Sequence, residues 1–242
     1  MSILQVVSLG NDIVDLNDPD SIRLSENKKF LNKVYDESEL VEVSQSPENI
    51  RHIYLWKLWA AKEAAYKAVK RLRRETVFSP KLFCYHPDRN IVAYKDITCR
   101  LEFLENSRYV HASAFILGDD ESVSSEINRA PSLFSQQKPT SGSIHDAKSN
   151  IQPQISDYDE IRKMIEEKNI PMIASYSPES ALCRMFAAIE IGRQLDAANV
   201  RLEKDSDSRS AIPRVWVDNV KTDHLVSTSH HGQFCAVLFY RL

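Results

Sequence analysis

The segment Trp59-Ala60-Ala61-Lys62-Glu63-Ala64-Ala65-Tyr66-Lys67 is an alanine-rich run that sets the Glu63 carboxylate and the Lys67 ammonium one helical turn apart. Near the start, Gly10-Asn11-Asp12-Ile13-Val14-Asp15 puts an acidic residue, Asp12, at the end of an apolar strand. A divalent cation needs hard oxygen ligands, and a diphosphate needs a further cation for its remaining charge; the two segments offer both. Each residue also has a plain reading. Asp12 could cap the next turn, and a Glu–Lys pair at this spacing stabilises any helix by a few tenths of a kcal/mol. The company favours chemistry. Trp56, Trp59, Glu63, Tyr66 and Lys67 lie on overlapping helical faces, and a carboxylate among large aromatics needs a compensating charge. A magnesium ion shared by Asp12 and Glu63 would supply it, because that ion takes one or two protein carboxylates and completes its octahedron with water and phosphate oxygens.

A second polar segment, Ser227-Thr228-Ser229-His230-His231-Gly232, lies between two strand-like runs. It is either a polar hairpin with exposed histidines or a set of short hydroxyls and an imidazole that bind phosphate oxygens. Nucleophile-elbow spacing is absent. Zinc is disfavoured, since adjacent histidines point apart on a strand and no Cys or His stands at ligand spacing. His52, His86, His111, His145 and His224 read as structural or surface residues. Lys67, Lys70, Arg71, Arg73 and Arg74 form a basic run that either complements the helix macrodipole or docks an acidic or phosphorylated partner.

These residues need elements to hold them. Residues 3–9 read as a strand ending at Gly10, and residues 26–43 as one or two short helices. Ser46-Pro47-Glu48 looks like a helix start, with Ser46 as N-cap, opening a long helix to about Leu72. Residues 77–85, 91–94, 97–104 and 109–117 read as strands, with a turn at 86–90. Residues 118–156 are rich in Ser, Asp, Gln, Pro, Asn and Lys and read as a flexible connector. Helices follow at about 158–168 and from Ser177-Pro178-Glu179 to about Ala198, then strands near 199–203, 212–217, 224–227 and 233–240.

The chain has 242 residues, 43% hydrophobic and 27% charged, enough for one large domain or two small ones and unlike a disordered chain. Five glycines and the lack of GxGxxG or a Walker loop argue against those phosphate cradles. A net charge of −3 gives no general bias toward nucleic acid. Cys84, Cys99, Cys183 and Cys235 form no CxxC pair and read as reduced thiols of a cytoplasmic protein. No signal peptide or long apolar span is expected.

The second half reads as a worn copy of the first. Trp59-Ala60-Ala61-Lys62-Glu63 aligns with Phe186-Ala187-Ala188-Ile189-Glu190, Lys67 with Gln194, and Val110–Ala114 with Val226–His230. The first copy keeps the Asp and Lys-Glu set and the second keeps the Ser-x-Ser-His set, which implies one composite site at their junction.

Together these motifs resemble the 4'-phosphopantetheinyl transferase superfamily. Its Gly-x-Asp opening is similar to Gly10-Asn11-Asp12, its Trp-x-x-Lys-Glu-Ala-x-x-Lys core to Trp59 through Lys67, and its Ser-x-Ser-His segment to Ser227 through His230; Phe30, Leu31, Val34, Tyr35 and Glu39 resemble the intervening helical region. The likeness is close over about 6–72 and loose over about 180–240. It implies transfer of phosphopantetheine from coenzyme A to a serine of an apo acyl or peptidyl carrier protein, as in fatty acid or polyketide biosynthesis. By the resemblance, Asp12 and Glu63 hold magnesium, Glu63 takes the serine proton, Lys67 neutralises phosphate charge, and Ser229 with His230 binds the diphosphate. Lys70, Arg71, Arg73 and Arg74 would greet an acidic carrier.

The motif order follows the short, trimeric type, stretched over two halves. Val14 replaces a third metal-binding acid, and the Gly-Lys-Pro segment survives only as Ala211-Ile212-Pro213, leaving Arg209 or Arg214 to compensate. The expectation is an α+β pseudo-dimer of two similar half-domains, each a long helix on a small antiparallel sheet. Its parts are 1–117, a connector over 118–156, and 157–242, in a monomer that binds neither nucleic acid nor membrane. The alternative is an inactive carrier-binding relative of the same fold.

Overall fold

The computed structural model describes residues 5–118, 151–168, 177–204 and 212–242. The architecture is α+β. Strand β1 (Gln5–Asp15) is followed by helices α1 (Pro19–Ser25), α2 (Lys28–Val34), α3 (Glu37–Gln45) and the long α4 (Glu48–Leu72). Strands β2 (Cys84–His86), β3 (Ile91–Tyr94), β4 (Ile97–Glu105) and β5 (Tyr109–Gly118) complete an antiparallel sheet of order β1-β5-β4-β3-β2. After residue 150 come β6 (Gln154–Asp157), α5 (Tyr158–Glu167), α6 (Pro178–Leu195), β7 (Val200–Lys204), β8 (Pro213–Val217), β9 (Val220–Lys221), β10 (Leu225–His231) and β11 (Phe234–Tyr240).

The strands of the second half split into two sheets, β10-β11-β6 and β7-β8-β9, rather than the single small sheet expected. The pairing β6-β11-β10 repeats the pairing β1-β5-β4. The registers also match. Asp15 pairs with Tyr109 and Asp157 with Phe234, each at the first residue of the inner strand. Just beyond, Leu16 N donates to Arg108 O and Tyr158 N to Gln233 O, both at 2.9 Å.

That register corrects the sequence alignment of Val110–Ala114 with Val226–His230. The former lie on inner strand β5 and the latter on outer strand β10, so the two segments do not hold the same place in their sheets.

Five further expectations change. β1 does not stop at Gly10 but runs to Asp15, so Asp12 sits within a strand opposite Ala112. Gly10 is there for close approach: a Cβ would fall 2.2 Å from Ala64 O and 2.6 Å from Ala68 N of α4. Ser46 is not the N-cap of α4; it ends α3, with its hydroxyl donating to Glu42 O, while Pro47 precedes α4 without a side-chain cap. Residues 77–83 are loop and a 3-10 turn at Pro80–Leu82, since the proline ring breaks the strand pattern. β10 extends to His231, so the Ser-x-Ser-His segment is strand, and the hairpin turns at Gly232 (φ +54°). β6 also occupies residues assigned to the end of the connector; 119–150 of that connector lie outside the described residues.

The first core is α4 laid on its sheet, where Ala60, Ala61, Ala64, Ala65 and Ala68 are fully buried and let the backbones approach. The second gathers α5, α6, β10 and β11 around Phe186 and Ile191. A small third cluster joins Ile13, Phe234 and Ala236, flanked by Tyr109 and Ile155, across the midline between the halves. Among the described residues no helix is long and apolar enough to cross a membrane.

Gly10→Ala should force β1 away from α4 and lower stability by about 1–3 kcal/mol, read from the denaturant midpoint at constant m.

Candidate active site

The edge of β1 that faces away from β5 meets β10, and the two are joined by side chains rather than a ladder. Asn11 N donates to Ser227 Oγ at 3.0 Å, Ile13 N to Ser229 Oγ at 3.2 Å, and Asp15 N to His231 Nδ1 at 3.2 Å. The two-residue period of both strands makes this possible, each alternate β10 side chain meeting an alternate β1 amide. Asp15 closes the joint, its Oδ2 accepting from Gln233 N at 3.1 Å.

At this seam a cleft of about 560 Å³ is lined by residues of both halves. Asp12, buried on β1, accepts through one oxygen, Oδ1, from Lys67 Nζ at 2.9 Å and from Ser229 Oγ at 2.8 Å. Lys67 Nζ also donates to Asn11 O at 2.9 Å. Burial pulls the Lys67 pKa down, but Asp12 and Glu63 outweigh it and hold the group above its ordinary value. Glu63 lines the same cleft, between Trp59 and Tyr66. Burial first, and then the Asp12 charge, push its carboxyl from the usual 4.5 up to about 7, against the pull of Lys67. The aromatic setting anticipated from sequence is present: Trp59 meets Phe30 and Phe78 at 5.7 and 5.8 Å, and Tyr66 meets Phe78 at 4.9 Å.

His230 lines the cleft from β10. Burial, then the nearby Lys67, lower its pKa below the ordinary 6.5, so the imidazole is neutral at pH 7. Ser229 also lines the cleft, but its hydroxyl is committed to Asp12 and Ile13 rather than open to a ligand. The basic run divides. Lys70 and Arg71 reach the cleft, Arg71 bonding Val226 O across the seam, while Arg73 turns away to form a two-pronged pair with Asp96. Lys70 closes the end of α4 by bonding the carbonyls of Arg74 and Thr76.

Sequence reasoning missed several cleft residues. Arg184 of α6 and Lys204 of β7 add positive charge, and neither sits in a motif that would mark it. Ile212 and Pro213 line the wall, so the remnant of the Gly-Lys-Pro segment is in position, while Ala211 and Arg209 lie outside the described residues. Asp15 and His231 had been quoted without a role and prove to be the joint. His111 is structural: fully buried, 3.3 Å from the Asn11 amide, and pushed down to about 3 by burial and by Lys67. Lys62, within the Lys-Glu motif, turns inward to Glu39 at 2.6 Å and to the carbonyls of Pro80 and Phe83.

Among the described residues no group of three or more His, Cys, Asp or Glu side chains could hold a metal ion. Asp12 and Glu63 are a pair of carboxylates, close enough for the charge of one to raise the pKa of the other. That donor set fits a magnesium ion shared with substrate phosphate and does not fit a closed four-ligand centre.

Residues 8–116 match the family model of the 4'-phosphopantetheinyl transferase superfamily, so the resemblance drawn from the motifs holds over that stretch. No curated protein matches the chain. Similar solved structures include the holo-ACP-synthase from Plasmodium yoelii, with 22% identity, covering 49% of this chain and 99% of that one at a TM-score of 0.38. A holo-(acyl-carrier-protein) synthase from Bacillus anthracis str. Ames, in complex with CoA (3',5'-ADP), has 19% identity, 48% and 100% coverage and a TM-score of 0.39. The holo-[acyl-carrier-protein] synthase from Neisseria meningitidis has 23% identity, 46% and 98% coverage and a TM-score of 0.37.

The raised Glu63 carboxyl has a sign. Between the usual 4.5 and about 7 the folded chain holds a proton that the unfolded chain has lost, so this group makes stability fall as pH rises through that window. Glu63→Gln removes the penalty: its melting temperature should exceed wild type at pH 8 and match it at pH 4.

Proposed function

We propose that this chain transfers the 4'-phosphopantetheine group from coenzyme A to a serine of an apo acyl or peptidyl carrier protein, with magnesium as cofactor. The observation that carries the reading is the meeting of Asp12, Glu63 and Lys67 from one half with His230 from the other on one cleft. Asp12 and Glu63 would hold the ion, which when bound offsets the diphosphate charge. Glu63 lines the cleft beside that site and would take the proton of the incoming serine hydroxyl. Lys67 keeps its charge and stabilises the anion that grows on the leaving adenosine bisphosphate. Neutral His230 can still donate an N–H to the diphosphate. Lys70, Arg71, Arg184 and Lys204 supply further positive charge along the cleft, which is the chemistry that replaces the lost Gly-Lys-Pro lysine.

We read the chain as a duplicated half-domain pair acting as a cytoplasmic monomer. The repeated strand registers support the duplication, and they suggest that the second half opens with β6 rather than at residue 157. By those registers Gln154 stands where Asp12 does, Glu105 where His230 does, and Leu104 where Ser229 does. The equivalent cleft would thus lack the Asp12 acid and the imidazole, leaving one site per chain. The division into 1–117, a connector and a second half follows from the same reading.

The test is direct. Purified protein, magnesium, coenzyme A and an apo carrier should yield a carrier heavier by one phosphopantetheine in the mass spectrum. Asp12→Ala and Glu63→Ala should each abolish that product while melting cooperatively; near-normal turnover by either would refute the metal assignment. A chain that binds carrier but never charges it would be the inactive relative that the missing lysine at Ile212 favours.

A further inference from the structure

We propose that Ser229 is a positioning residue that fixes the Asp12 carboxylate for its cation, and not a phosphate ligand. The hydroxyl has one proton to give, and it goes to Asp12 Oδ1 at 2.8 Å. Its oxygen is held in turn by the Ile13 amide at 3.2 Å, one residue further along the same strand. The carbonyl of Ser229 is anchored from behind, accepting from Cys183 Sγ at 3.3 Å. Ser229 is only 5% exposed, so little of it is open to water. Lys67 meets the same carboxylate oxygen at 2.9 Å. Both donors therefore act on Oδ1, and together they fix the plane of the carboxylate. A ligand held in this way is aimed before its cation arrives, and outer partners of this kind commonly carry about 10–100-fold of a site's metal affinity.

The aiming hydroxyl comes from the opposite half of the molecule, 217 residues away in the chain. The cation site is thus completed across the seam even though both carboxylates belong to the first half. This inference rests on the reading of Asp12 and Glu63 as the cation ligands, but not on turnover.

Manganese(II) serves as the probe, its binding to the full-length chain followed by loss of the free-ion electron paramagnetic resonance signal. Ser229→Ala should weaken manganese affinity about tenfold or more, and Ser229→Thr, which keeps the hydroxyl, should restore most of it. Coenzyme A affinity, measured calorimetrically in excess chelator, should be the same for wild type and both variants. Unchanged manganese affinity in Ser229→Ala, or a loss of coenzyme A affinity in chelator, would overturn the assignment and return Ser229 to phosphate binding. A wild-type chain that binds no manganese would overturn it as well. If Ser229→Ala does not melt cooperatively, Ser229→Cys takes its place, its weaker donor giving a smaller loss in the same direction. A wild type that binds manganese yet never charges a carrier would defeat the proposed transfer and leave the role of Ser229 intact.

Discussion

Three backbone amides on the outer edge of β1 decide how this molecule is assembled. A sheet edge with free N–H groups must be paired, covered or left to water. Here Ser227, Ser229 and His231 cover it, each accepting from one amide of the sequence Asn11, Ile13, Asp15. The covering is specific in register, because a slip of one residue on either strand would turn every acceptor to the wrong face. Fixing that register also fixes which side chains share the cleft: Asp12 lies between two capped amides, and His230 between two capping residues. The joint and the site are one piece of geometry.

The electrostatics follow from the same closeness. Two carboxylates and one ammonium share a partly buried space, and their shifts have opposite outcomes. Lys67 keeps its proton because two anions flank it, whereas Glu63 is drawn toward neutrality by burial and by Asp12. With both carboxylates ionised, one ammonium leaves a negative charge uncompensated. It is a set that a multivalent cation and a polyanion can satisfy together.

Much of the site was legible because its signals are local. The Lys-Glu-x-x-x-Lys spacing is fixed by one helical turn, and the aromatic neighbours of Glu63 recur on that same face. The extent of β1 was not legible, because Gly10 serves packing against α4 rather than a turn, and only the partner helix reveals that. The strand identity of Ser227–His230 was hidden by polar residues that look like a turn, of which Ser227 and Ser229 are in fact buried acceptors. The roles of Asp15, His231, Arg184 and Lys204 depend on contacts made across long stretches of sequence, and no periodicity encodes them. The mismatched alignment of β5 with β10 has the same origin, since residue types alone cannot tell an inner strand from an outer one.

Lys62 and Glu63 are neighbours on α4 that point about 100° apart, one into the core and one into the cleft, and this has a mechanical meaning. Lys62 is wholly enclosed and anchored at three points, to Glu39 and to the carbonyls of Pro80 and Phe83. Rolling α4 to reposition Glu63 would tear a lone ammonium from every one of those anchors inside a low-dielectric interior, where an uncompensated charge is costly. The helix is therefore locked in rotation. The bearing of Glu63 and Lys67 on the cleft is thereby set by a buried ion pair elsewhere on the same helix.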